Sequence, residues 1–491
     1  MPTSPVVRQG WRGGLGRVFL AAIVLTVLGY GSASRVETNI AALAFGVLAM
    51  LASWHPIGAL RVGRVQTAAI LLLAVLLGYA VLQTLPLGSD LANGAWKAIG
   101  EHIGPARGTI SVAPGATLEA LPALALPFLA FISALVFFQG DDEALLLWRA
   151  LAYFGATYAA FGLLQDVFFP EQILFEPKRY YLGSLTATFV NRNTVGTFLG
   201  VALLLNLGLA FHALREIRLG NLVKITLAFD IGRADKHSLA LMHSLFCLII
   251  AVALFLTQSR GAVGATFIAC VLATILMTAR RITADDPGEA SARWRRYAAL
   301  AAGLLAVAGI FALLAGRSVY RMEAQGLADA RWCAFASTVE AIRDNWVLGT
   351  GFGAFQDVFP VYRHADCVGI FGVWERAHDV FLEGYLGLGL PFLAAATVGY
   401  GVLIAVFIRG VRMRHGFRFI PVMGLAALTL ASLHSIVDFS PQIPGFDVYF
   451  AAVMAAAVTT SLGRGGGREF RPRQPALKRD LGGAEATPAN F

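Results

Sequence analysis

Three short stretches hold the residue types that could do chemistry, and each of them abuts an apolar run. The first is "FVNRNTVGTFLG", residues 189–200, where Asn191, Arg192 and Asn193 stand in a row at the mouth of a long hydrophobic segment. A guanidinium and two amides held against hydrocarbon are costly unless something answers them. Exposed backbone N–H groups at a helix start, the positive helix end and a guanidinium together make an anion site. The plainer alternative is an interfacial arginine reaching to lipid headgroups. The second stretch is "LTQSRGAVGA", residues 256–265, where Ser259, Arg260 and Gly261 interrupt what would otherwise be one apolar run. A tight hairpin turn needs the glycine; it does not need the arginine. Two such guanidinium forks suit the several oxygens of a diphosphate better than lysines would.

The third stretch is "VWERAHDVFLEGYLGLGLPFL", residues 373–393, in which His378 sits among Glu375, Arg376 and Asp379 as the chain turns apolar again. A lone histidine is more often structural than catalytic. At the depth of the two arginines, however, a neutral imidazole can accept a proton at neutral pH, its ordinary pKa being about 6.5. Upstream, "RWCAFASTVEAIRDNW" reads as an amphipathic helix over 331–346 with Trp332, Ala336, Val339 and Ile342 on its apolar face. It is followed by Gly349, Gly351 and Gly353 at alternate positions. No Lys-Thr or Lys-Ser follows these glycines, so they do not form a nucleotide P-loop.

The elements that must position these residues are membrane helices. The chain has 491 residues, 57% hydrophobic and only 14% charged, which excludes an ordinary soluble globule. Apolar runs long enough to cross about 30 Å of hydrocarbon lie at 17–34, 39–54, 66–85, 119–138, 144–166, 194–213, 239–257, 261–278, 298–316, 388–408, 419–437 and 447–462. The expected fold is therefore an all-α polytopic membrane protein of about twelve transmembrane helices. Residues 1–462 form one transmembrane domain with a large external loop at 317–378, and 463–491 form a disordered basic tail. The first run follows Arg8, Arg12 and Arg17 and reads as a retained helix.

Most of the 39 Lys and Arg fall on one side if the N-terminus is cytoplasmic and each run crosses once. The stretches "ARRITADDPGEASARWRR" and "RGVRMRHGFR" weigh most. Both ends are then cytoplasmic, and the net charge of +9 reflects this bias rather than a nucleic-acid surface. The loops 86–118, 167–193 and 317–378 fall outside, together with all three stretches above. Cys247 and Cys270 lie within apolar runs as small hydrophobic residues. Cys333 and Cys367 share the largest external loop, where a disulfide and two free thiols are both open.

Four pieces in order carry a resemblance: "FVNRNTVGTFL", "TQSRGAVGA", "WVLGTGFGAF" with "AHDVFLEGYLGLGLPFL", and "LHSIVDFSPQIPG" before the final run. With them the chain resembles the bacterial O-antigen ligase and O-antigen polymerase superfamily. The resemblance implies a fold like that of the C-type glycosyltransferases, with a large periplasmic loop, in the bacterial inner membrane. It implies transfer of a glycan from undecaprenyl pyrophosphate to an acceptor hydroxyl in the periplasm, with no metal and no other cofactor. By motif, Arg192 and Arg260 correspond to the family's pyrophosphate-contacting arginines and His378 to its essential loop histidine. Asn191 and Asn193 match the motif as further pyrophosphate contacts; Arg376, Asp379, Gly351 and Gly353 are candidate supports of the site. His434 and Asp438 match a family pattern to which sequence alone assigns no chemistry. Asp379 stands where many members have Asn.

The residues agree with the resemblance on one point of their own. Pyrophosphate is already a good leaving group, so a protein need only stabilise its developing charge and take a proton from the acceptor. The external loops carry no paired-carboxylate or His-rich metal signature. Within this class the acceptor is lipid A-core for a ligase and the sugar end of a second lipid-linked chain for a polymerase, and ligase is the first reading. A flippase of the same lipid-linked glycan is the reading from another class; it would favour ionisable residues at mid-span, and here the polar groups gather at one face instead.

Overall fold

The computed structural model describes residues 5–86, 88, 90–104, 107–214, 235–282, 309, 330–364 and 372–463. Fifteen α-helices occur among them: α1 Pro5–Leu28, α2 Arg35–Ser53, α3 Leu60–Leu82, α4 Gly94–Ile103, α5 Pro114–Phe137, α6 Asp141–Phe168, α7 Arg192–Leu214, α8 Asp235–Leu256, α9 Arg260–Ile282, α10 Ala330–Asn345, α11 Phe355–Tyr362, α12 Val380–Leu388, α13 Leu390–Met413, α14 Phe419–Ser435 and α15 Pro444–Leu462. The only sheet among the described residues is a two-residue antiparallel hairpin, β1 Gln172–Ile173 with β2 Glu176–Pro177. The chain is an all-α polytopic membrane protein. Nine of the described helices are long and apolar enough to cross a bilayer, and the apolar parts of α1 and α14 are shorter. These eleven match eleven of the twelve apolar runs; the run at 298–316, apart from residue 309, lies outside the described residues, as do 464–491.

Burial sorts the helices into an inner and an outer set. α7 and α15 are apolar on every face and almost wholly enclosed, whereas α13 turns most of its surface outward. A helix without a polar face belongs at the centre of a bundle or against lipid. What brings neighbours onto α7 is small residues, because lipid tails compete equally for apolar contact and close backbone approach decides helix association. A methyl group on Gly196 would stand 2.7 Å from Ala262 Cβ of α9, and one on Gly200 would meet Leu430 of α14 at 2.8 Å. α7 accordingly packs against α6, α8, α9 and α14.

Two expectations about local structure change. The first apolar run ends at Leu28 rather than at 34, because the chain breaks into a 3-10 turn, Tyr30–Ser32, with three successive positive φ values. Gly31 at its centre leaves no room for a side chain against Phe189, and Gly445 of α15 lies against its backbone. The amphipathic helix is present as α10, but its buried face is rotated from the one read in the sequence. Ala334, Ser337, Thr338, Ala341 and Ile342 are buried, whereas Trp332 and Ala336 are exposed. Small residues let α10 lie close to α11 and α12 over Phe355, Val358, Phe359 and Leu386, and the bulky indole is turned away. α4, within the segment 86–118, was not singled out in the sequence although Trp96, Ile99 and Ile103 stand at helical spacing in it.

Candidate functional site

The site assembles at the starts of α7 and α9. Asn191 caps α7: its Oδ1 accepts the Asn193 N–H at 2.8 Å, answering one of the donors that every helix start leaves open. Asn191 is buried, and its Nδ2 has no hydrogen-bond partner among the described residues. Arg192, half-buried, lays its guanidinium 5.2 Å from the ring centre of Tyr181 and donates from Nη1 to Ser184 Oγ at 3.4 Å. Asn193 does something different from its neighbour. Its Nδ2 donates to Asp438 Oδ1 and its Oδ1 accepts from Ser259 Oγ, both at 2.9 Å. Ser259 is the residue before α9, and its hydroxyl also lies 3.4 Å from the Ala262 N–H. One buried amide thus ties together the helix starts that carry Arg192 and Arg260. Arg260 is half-buried, and no hydrogen bond or ion pair holds its guanidinium among the described residues.

Behind the two helix starts lies a closed polar network. Asp438 is fully buried; besides Asn193 it accepts from Ser440 Oγ at 2.5 Å. Thr197 Oγ1 lies 2.9 Å from Ser440 Oγ and 2.6 Å from His434 Nδ1. Gly261 lies against the other edge of that imidazole, where an added methyl would stand 2.9 Å from Cδ2. A buried carboxylate is tolerated only with donors on its oxygens, and here both oxygens have one. His434 and Asp438 therefore hold α7, α9 and the 434–442 turn in fixed register. Neither of them carries a role in sequence alone, because their partners on α7, Asn193 and Thr197, are more than 230 residues away.

His378 reaches the same turn from the segment that precedes α12. Its ring stands edge-on to Phe439, centroids 4.9 Å apart, between the two residues that bond to Asn193 and Thr197; Trp374 flanks it at 5.2 Å. His378 has φ 59°, a left-handed conformation that costs a non-glycine residue about 1–3 kcal/mol. Its neighbours impose it. Asp379 caps α12, accepting the Phe381 and Leu382 N–H groups at 2.8 and 2.9 Å. Arg376 pairs with Glu383 of α12 at 3.0 Å, and the same carboxylate accepts the Ala377 N–H at 2.8 Å. Burial pushes the Asp379 carboxyl above the usual range, while its two N–H donors work the other way. An Asn cap would use the same side-chain oxygen, so the Asp at this position leaves the cap intact.

The glycine-rich loop is a packing joint rather than an anion cradle. Gly349, Gly351 and Gly353 all have positive φ, and the N–H groups of Gly349, Thr350 and Gly351 bond to the carbonyls of Asn345, Leu386 and Gly387. A methyl on Gly351 or Gly353 would overlap Ser111 or Ala120. Gln83, wholly buried, donates to Leu348 O and Gly387 O and accepts the Phe352 N–H. The support that Gly351 and Gly353 lend is thus to the seat of α12, and through it to His378.

Sequence reasoning passed over Tyr181, Ser184 and Arg331, whose Nη1 donates to Val437 O at 2.9 Å. The Tyr181 hydroxyl is raised above its ordinary pKa by burial and by Asp438, with Arg192 and Arg331 opposing. These four groups therefore share one electrostatic neighbourhood. Only the tyrosine pair in "KRYYLG" beside the helix mouth hinted at it. Among the described residues no three His, Cys, Asp or Glu side chains converge as a metal site would require.

Cys333 on α10 is disulfide-bonded, Cys247 and Cys270 are free, and Cys367 lies outside the described residues. A bridge from 333 to 367 would stabilise the loop by about 3–4 kcal/mol on the chain-entropy account. Non-reducing peptide mapping is expected to recover these two cysteines as one linked pair; recovery of both as free thiols would exclude the bridge.

A family profile described as O-antigen ligase matches residues 245–397, from α8 into α13. The match includes Arg260, the glycine-rich loop and His378, and it stops short of Arg192 and Asp438 on either side. No curated protein matches the chain.

Proposed function

We propose, for a chain that belongs to the O-antigen ligase and polymerase superfamily, that it moves a glycan from undecaprenyl pyrophosphate to an acceptor hydroxyl at the periplasmic face of the bacterial inner membrane. The observation that carries this reading is the Asn193 amide, which ties the helix start bearing Arg192 to the one bearing Arg260 and to Asp438. Two guanidiniums on packed helix starts, with no bound counter-charge on Arg260 among the described residues, suit a dianionic diphosphate. His378 approaches from the loop side through Phe439, where an acceptor sugar would come in from the periplasm.

In this mechanism Arg192 and Arg260 hold the pyrophosphate and take up the charge that develops as the anomeric C–O bond breaks. His378 accepts the proton of the attacking hydroxyl. The acceptor oxygen forms the new glycosidic bond, undecaprenyl pyrophosphate leaves, and no metal or nucleotide sugar takes part. Lipid A-core is the acceptor we favour, which makes the protein a ligase; a second lipid-linked chain would make it a polymerase.

A strain lacking the protein separates these readings on a gel. Lipid A-core without attached glycan, alongside accumulated long lipid-linked chains, is the result expected of a ligase. Single-unit attachment, or loss of exopolysaccharide, would point to a polymerase. Lipid-linked glycan supplied directly on the outer face should still be consumed; failure of that reaction in the purified, reconstituted protein would leave only a flippase.

A further inference from the structure

Two of the groups around the Arg192 guanidinium belong to neither α7 nor α9. The Tyr181 ring lies beneath it, its centre 5.2 Å from Cζ, and Ser184 Oγ accepts from Nη1 at 3.4 Å. Both residues stand on one four-residue turn, closed by the Ser184 N–H on the Tyr181 carbonyl at 3.1 Å. An aromatic face and a hydroxyl at fixed spacing set the orientation of a planar cation, whereas an ammonium has no plane for them to fix.

This turn is itself fastened, and the place of fastening matters. The Leu185 N–H bonds to Leu256 O at 2.9 Å, and Gln258 Nε2 donates to Gly183 O at 2.7 Å. Leu256 ends α8 and Gln258 stands two residues before Arg260, so the turn beside Arg192 is bonded to the link that leads into Arg260. On its other side the buried Lys178 donates to the Ser184 carbonyl. Tyr181 and Gln258 both carry left-handed backbone, with φ 57° and 55°. A side-chain-bearing residue keeps that conformation only where its surroundings dictate it, and such positions gather at functional sites.

We infer that the 181–184 turn is a positioning device of the site, in which the Tyr181 ring orients the Arg192 guanidinium and the Gln258–Gly183 link registers it against Arg260. The inference rests on the reading of Arg192 and Arg260 as diphosphate-binding residues. Tyr181 is a positioning residue: it acts through Arg192, and by its ring rather than its hydroxyl. A guanidinium held in one orientation before the donor arrives gives up less rotamer freedom when the donor binds.

A double-mutant cycle tests this, read as single-turnover transfer from a polyprenyl-diphosphate-linked glycan by the full chain in lipid nanodiscs. Tyr181→Leu is expected to slow transfer by about 2- to 30-fold, the range spanned by cation–π contacts, and Tyr181→Phe is expected to restore most of that loss. Arg192→Lys removes the plane that the ring orients, so adding Tyr181→Leu to it should bring no further loss; added to Arg260→Lys, it should cost its full factor. A ring that only packs the turn would multiply with both arginine substitutions, and that result would overturn the inference. So would an equal loss in Tyr181→Phe and Tyr181→Leu. The same cycle with Tyr181→Met, which keeps a long apolar side chain, covers the case in which Tyr181→Leu inserts poorly. Arg192→Lys alone is the control for the underlying reading. A wild-type rate in it would defeat that reading, whereas a slowed Arg192→Lys that Tyr181→Leu slows further would defeat the positioning role alone.

Discussion

Arg260→Lys and Arg192→Lys are each expected to retain only a small fraction of wild-type transfer, with Arg→Ala at either position falling below detection. Removing one preorganised donor from a developing oxyanion costs about 10²–10³ in rate, and each guanidinium offers two parallel donors to the diphosphate. Lysine keeps the charge and loses the planar fork. Its loss should be sharper at Arg192, where the Tyr181 ring and Ser184 are arranged around a flat cation. At Arg260 no partner among the described residues fixes the side chain, so the whole loss there would be a loss of substrate contact rather than of scaffold. The measurement is transfer from a reconstituted lipid-linked donor, with insertion checked by protease accessibility of the external loop. Near-normal turnover in Arg260→Lys would exclude bidentate recognition at that position.

His378→Ala and His378→Gln should both bind the lipid-linked donor with wild-type affinity and lose turnover by about 10²–10⁴, the range of general-base assistance. Glutamine fills the space and keeps a hydrogen-bond donor, and it cannot accept a proton. A base works as the neutral ring, so the single-turnover rate of the wild-type protein should fall as pH drops through the range in which imidazoles titrate. The sign follows from the protonated ring having no lone pair to offer. A histidine that merely donates a hydrogen bond to the pyrophosphate would show the opposite slope, and a His378→Gln protein with near-normal single-turnover rate would remove the base role. The left-handed backbone at His378 adds a check on folding. Gln tolerates that conformation less well than His, so the variant's melting temperature belongs beside its rate.

The membrane class, eleven of the apolar spans and the candidate residues at the starts of α7 and α9 were readable from the residues alone, because hydrocarbon imposes its length and polarity on every crossing helix. A guanidinium beside an apolar run is likewise visible without coordinates. Sequence also brought His378 into view, through the charged residues around it. What it could not supply was the partner of each group. Asn193 looked like one more amide of a motif; the structure makes it the tie between Arg192, Ser259 and Asp438, since hydrogen bonds across 66 and 245 residues leave no local signature. The three glycines could be read in sequence only as lacking the Lys-Thr or Lys-Ser of a nucleotide P-loop. The N–H groups of Thr350 and Gly351 prove to be spent on the seat of α12, a fact that only the docking of Gln83 and the 384–391 segment decides. The face of α10 was misread for the same reason: helical periodicity gives the spacing of a stripe, while which stripe is buried depends on the size of the residues that the neighbouring helices can approach. Local composition thus determined where chain crosses the membrane and where charge stands at its surface, and tertiary packing alone determined which of those charges face one another.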